Sequence, residues 1–106
     1  MNVRFSEQAI RCRATAAELQ QLLTGRALAL ELCLPRDRKF RVNVRPAALE
    51  AWQLDSDPTG IWIAIPRSQL QALAQMLPSK KGIERSFETA QGSITVTFEV
   101  DLRQSG

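Results

Sequence analysis

Residues 10–24 read Ile10-Arg11-Cys12-Arg13-Ala14-Thr15-Ala16-Ala17-Glu18-Leu19-Gln20-Gln21-Leu22-Leu23-Thr24, and their period changes partway along. Up to Ala14, apolar residues alternate with arginines, the period-two pattern of a strand with one buried face. Thr15-Ala16-Ala17-Glu18 then fits a capping box: the threonine oxygen accepts from the backbone N–H three residues on, and the glutamate reaches back. Leu19, Leu22 and Leu23 follow at helical spacing, and Gly25 can end the helix in the left-handed conformation. Strand, cap and leucine-striped helix follow one another without a linker.

The same order recurs downstream. Gly60 opens a strand with Ile61, Ile63 and Ile65 on one face. Pro66 suits the first position of a helix because its missing N–H would be unpaired there anyway. Leu70, Leu73, Ala74 and Leu77 form the stripe, and Pro78 ends it. Residues 10–24 laid over 61–75 match Ile10 with Ile61, Leu19 with Leu70, Gln20 with Gln71 and Leu22 with Leu73. An internal β-α-β-β duplication is the expectation.

Outside these segments alternation dominates. Val3 and Phe5 lead through the polar link Glu7-Gln8 into Ile10, Cys12 and Ala14, a first hairpin. Leu28, Leu30, Leu32 and Leu34 share one face of a strand. The charged loop Pro35-Arg36-Asp37-Arg38-Lys39 joins it to Phe40, Val42 and Val44. Pro46-Ala47-Ala48-Leu49-Glu50-Ala51-Trp52 reads as a short helix in which Trp52 caps the core beside Leu49, and residues 55–60 read as a loop. Ile83–Glu88 forms a strand before Ile94, Val96, Phe98, Val100 and Leu102, the strongest β pattern in the chain. The predicted fold is α+β over residues 1–106 as a single domain: a mainly antiparallel sheet of about seven strands with two helices on one face.

Composition removes several activities. The 106 residues include no histidine and two cysteines. Histidine triads, imidazole-based metal sites, four-thiolate zinc and iron–sulfur clusters are therefore excluded. Cys12 and Cys33 lack C-x-x-C spacing and read as reduced thiols packed as small apolar groups. The glycines are isolated, so no phosphate-cradling loop is present. No cofactor is expected. The first residues lack a basic segment followed by a long apolar stretch, and no run reaches the ~18–20 apolar residues of a membrane helix, so a cytoplasmic location is expected. The net charge is +3, too small for a dedicated nucleic-acid domain.

Two segments carry a resemblance. Val3-Arg4-Phe5 followed by Ile10-Arg11-Cys12-Arg13-Ala14-Thr15-Ala16-Ala17-Glu18-Leu19 resembles the opening of an uncharacterised family of short bacterial proteins, a domain of unknown function. Its members continue from an arginine-bearing strand into I-R-x-R-x-T-x-x-E-[LV]. Val42-Asn43-Val44-Arg45-Pro46, Trp52 and Gly60-Ile61 resemble a second patch of that family, and the likeness covers residues 1–65. It implies a bacterial source and a fold, and brings no activity with it.

Three constellations are candidates for function. Arg4, Arg11, Arg13, Arg41 and Arg45 occupy the non-core phase of their strands, so neighbouring strands would gather five guanidinium groups on one sheet face. Such a face suits phosphate or carboxylate, or stays a solvated surface paired with cross-strand acids such as Glu31, Glu99 and Asp101. Trp62 stands out of phase with Ile61, Ile63 and Ile65, beside Ala64, and suits an interface or a stacking site. Glu99-Val100-Asp101-Leu102-Arg103 resembles the acidic strand of the triphosphate-tunnel phosphatases. That likeness implies metal binding by Glu99 and Asp101. The leading expectation is a small non-catalytic cytosolic binding or interaction module whose partner the sequence does not identify, with a homodimer or a protein partner as the options. The alternative is a phosphate-ligand protein or metal-dependent phosphohydrolase on the arginine face, and weak nucleic-acid binding comes third.

Overall fold

A computed structural model describes residues 1–78 and 81–101. The chain runs β1 (Asn2–Ser6), β2 (Ala9–Ala14), α1 (Ala16–Leu23), β3 (Leu28–Leu34), β4 (Arg38–Ala47), β5 (Gln53–Asp57), β6 (Gly60–Pro66), α2 (Arg67–Gln75), β7 (Ile83–Thr89) and β8 (Gly92–Val100). The class is α+β, as expected, but the single antiparallel sheet is not found. Two four-stranded mixed sheets form instead, sheet A in the order β1-β2-β8-β7 and sheet B in the order β3-β4-β6-β5.

The order of elements is hairpin, helix, hairpin, then the same again. Each sheet takes the first hairpin of one half and the second hairpin of the other. The joints are the parallel pairs β2–β8 and β4–β6. Their registers correspond: Ile10 faces Val96 and Cys12 faces Phe98 in sheet A, while Ile61 faces Val42 and Ile63 faces Val44 in sheet B. The two halves thus exchange hairpins, which an alternating pattern cannot reveal, because it marks the buried face of a strand and not its neighbour.

The inner faces of both sheets meet the helices in one continuous core. Leu19, Leu22, Leu70 and Leu73 are all fully buried beside Val44, Ile63, Ile65, Val96 and Phe98. Thr15 caps α1 as the sequence predicts: its Oγ accepts from the Glu18 N–H at 3.1 Å, and the Glu18 carboxylate accepts from the Thr15 N–H at 2.9 Å. At the other end Gly25 adopts φ +96°, and the Arg26 N–H reaches the Gln21 carbonyl at 2.9 Å. That left-handed turn closes the helix.

Three local expectations are corrected. Residues 46–52 form no helix: Pro46 and Ala47 extend β4, paired with Ile65 and Pro66. Trp52 is buried, but without Leu49, which is 69% exposed. Residues 53–57, partly read as loop, form the edge strand β5 against β6. Pro66 ends β6 and precedes α2 as its N-cap, one position earlier than expected. Leu102 and Arg103, read as the end of the last strand, lie outside the described residues.

Candidate functional site

The five strand arginines do not share a face. Arg4, Arg11 and Arg13 stand on the outer face of sheet A, with Arg4 opposite Arg11 in the β1–β2 register. Arg41 and Arg45 stand on the outer face of sheet B, on β4. The expected cluster is split because the β1–β2 and β3–β4 hairpins belong to different sheets.

On sheet A the arginine face is partly neutralised. Arg13 donates to Glu99 Oε1 from Nε at 3.0 Å and from Nη2 at 2.9 Å, across the parallel β2–β8 joint. Glu99 is therefore held by a guanidinium. Asp101 lies just past β8, where its N–H donates to the Ala14 carbonyl at 2.7 Å. Among the described residues no group of three or more Asp, Glu, Cys or His side chains is placed to hold a metal ion. A hollow lined by Asn2, Arg4, Arg11 and Arg13 measures about 10 Å³, too small for a ligand.

The outer face of sheet B carries two grooves, and Trp62 lies between them. Strand alternation turns its indole outward, between Asn43 on β4 and Asp55 on β5. Its neighbours on the same face of its own strand are Gly60 and Ala64. Gly60 has no room for a side chain, because a Cβ would lie 2.1 Å from the Arg41 carbonyl oxygen. Neither neighbour therefore puts a bulky side chain beside the indole. A groove of about 680 Å³ lies on the side of Arg38, Lys39, Arg41 and Thr59. A second groove, about 640 Å³, lies on the side of Arg45, Gln53 and Asp55. Trp62 lines both and stays half-buried between them.

The polar groups around the indole differ in how firmly they are held. Glu31 accepts from Arg41 Nε at 3.2 Å and from its Nη2, and Lys39 Nζ lies 3.9 Å away. The hydrogen bond from Arg41, supported by the Lys39 charge, holds the Glu31 carboxyl below its ordinary pKa. Asp57 is held low chiefly by the Thr59 hydroxyl and also by the Thr59 and Gly60 N–H groups. Arg45 is exposed and has no ion pair among the described residues, so its guanidinium fork is available.

The cysteines lie apart from this relief. Cys12 is in the core, and burial pushes its thiol up to about 12, which makes it a poor nucleophile. Cys33 is exposed on β3. No helix among the described residues is long and apolar enough to cross a membrane. Sequence alternation located Trp62 correctly, but the grooves beside it depend on β5, whose single apolar residue, Leu54, left no pattern to find. Comparison of the chain with family models, with curated proteins and with solved structures returns no match.

Proposed function

We propose that the chain is a non-catalytic binding module whose contact surface is the outer face of sheet B around Trp62. The observation that carries this reading is the placing of the indole, with bare and small neighbours on its own strand and a groove on each side. An aromatic that lines a groove on each side offers a large rigid contact area at low entropic cost. Arg41 and Lys39 on one side and Arg45 on the other supply oxyanion recognition, while Asp55 and Asp57 limit the attraction for a uniform polyanion. A guanidinium binds an oxyanion but cannot serve as a base near neutral pH.

The alternative, a metal-dependent phosphohydrolase, rests on Glu99 and Asp101. Glu99 is engaged by Arg13 on the opposite sheet from the grooves, which gives that reading less support.

Tryptophan emission tests the proposal, with ATP, pyrophosphate and an acidic oligoglutamate peptide as probes. Binding of at least one probe should shift the wild-type emission. Trp62→Ala should abolish the shift, and Trp52→Phe should retain it. Silence with all three probes overturns the proposal. So does Mg²⁺- or Mn²⁺-dependent hydrolysis of ATP or triphosphate that the Glu99→Gln/Asp101→Asn variant abolishes.

A further inference from the structure

Strand β3 is an edge of sheet B, bonded to β4 on one side and, among the described residues, to no strand on the other. An open edge offers a row of N–H and C=O groups to any passing strand, and proteins blunt such edges with charge, proline or brevity. The other three edges are blunted. β1 and β5 have five residues each and carry Arg4, and Asp55 with Asp57. β7 carries Glu84, Arg85 and Glu88. β3 has seven residues, Leu28-Ala29-Leu30-Glu31-Leu32-Cys33-Leu34, and a single charge.

Its apolar face also outruns the core. Leu28 is buried, but Leu32 and Leu34 are 49% and 44% exposed. Leu32 pairs with the half-buried Phe40 of β4, so the apolar ladder continues past the point where the helices cover it.

We infer that β3 pairs antiparallel with β3 of a second copy of this chain, about a twofold axis through Leu32, and joins two four-stranded sheets into one. The axis follows from charge and side-chain matching. Centred on Leu32, Leu30 of one copy lies opposite Leu34 of the other, Leu32 opposite Leu32, and Glu31 opposite Cys33. Centred on Glu31, carboxylate would face carboxylate, an unfavourable cross-strand pair. The Leu32 axis keeps each Glu31 beside its own Arg41 and Lys39. A strand from a different protein could satisfy the same main-chain groups, but the self-pair itself supplies a leucine opposite each of the two exposed leucines. Twofold pairing uses the same edge on both copies, so it closes at the dimer.

The test is the mass of the full chain in solution, by sedimentation equilibrium over micromolar to submillimolar concentrations. The expected mass is twice the 11.9 kDa of one chain. Leu32→Lys should return it to that of a single chain with an unchanged far-ultraviolet spectrum. Phe5→Lys, at the exposed end of β1, should leave the dimer intact. For the register, Leu32→Cys in a Cys33→Ser background should cross-link the dimer on mild oxidation, and Ala29→Cys in that background should not. A wild-type chain that stays at single-chain mass overturns the proposal and leaves the edge to a strand of another protein. A dimer that survives Leu32→Lys, or fails to cross-link at position 32, overturns it as well. If Leu32→Lys disrupts the fold, Leu34→Lys and the cross-linking pair decide the matter.

Discussion

The indole N–H of Trp52 donates to the side-chain oxygen of Gln69 at 2.9 Å. At the corresponding place in the first half of the chain, the Met1 ammonium donates to Glu18 Oε2 at 2.7 Å. Both contacts tie the start of a half to the first turn of its helix. Trp52→Phe removes the bond and a small part of the buried volume while keeping most of the buried area, so it should cost about 1–2 kcal/mol in a denaturant melt. Trp52→Ala also opens a cavity and should cost about 3–5 kcal/mol.

The helix leucines should behave as equivalent pairs. Leu19, Leu22, Leu70 and Leu73 have no exposed surface, and each Leu→Ala change should cost about 2–5 kcal/mol. Urea titrations of the four single variants provide the check. Four midpoints unchanged from the parent would contradict the burial of these leucines.

Thr15→Ala removes the α1 cap and should cost about 0.5–2 kcal/mol without altering the fold. Circular dichroism should keep its shape while the melting temperature falls.

Acid should weaken the protein partly through Glu18. Burial alone would raise its pKa, but hydrogen bonds from the N-terminal ammonium and from Thr15, with the ammonium charge, bring it below the ordinary 4.5. A folded value below the unfolded one means that the stabilisation is complete above 4.5 and fades as pH falls through the folded value. Glu18→Gln should therefore be less stable than wild type at about pH 7 and lose less stability between about pH 5 and pH 3. Parallel curves for the two proteins across that window would show that Glu18 contributes nothing to acid sensitivity.

Thiol labelling should separate the cysteines. Cys33 is exposed and should react with a disulfide reagent in the native protein. Cys12 is buried, with its thiol pushed up to about 12, and should react only after unfolding. Two thiols per denatured chain without prior reduction is the expected total; a lower total would mean that one is already oxidised.

Much of this architecture was legible in residue order. Alternation identified the β1–β2 and β3–β4 hairpins, β6 and β8, helical spacing identified α1 and α2, and Thr15 and Gly25 marked the ends of α1. The errors have local and global causes. Pro46 followed by alanines has good helix composition, yet pairing with Ile65 and Pro66 keeps Pro46 and Ala47 in β4. β5 presents only Leu54 to the core, too little to register as a pattern. Alternation shows the phase of the arginines but not their division between two sheets, because the parallel joints connect residues as distant as Arg13 and Glu99, and no window of local sequence spans them. The relief around Trp62 was half legible for the same reason: its outward turn is local, whereas its neighbours Asn43 and Asp55 arrive from two other strands.

The exchange of hairpins between the halves gives the chain the hydrogen-bond economy of a tethered pair. β2 and β4 of the first half find their parallel neighbours only in the second half, as β6 and β8 find theirs only in the first. Neither half contains a completed sheet. The irregular stretch between Ala48 and Ala51 carries the covalent link but none of the ladder that joins them. Its role is to keep the two pieces at high effective concentration. A nick there should leave two fragments that still assemble, with a stability that now depends on their concentration.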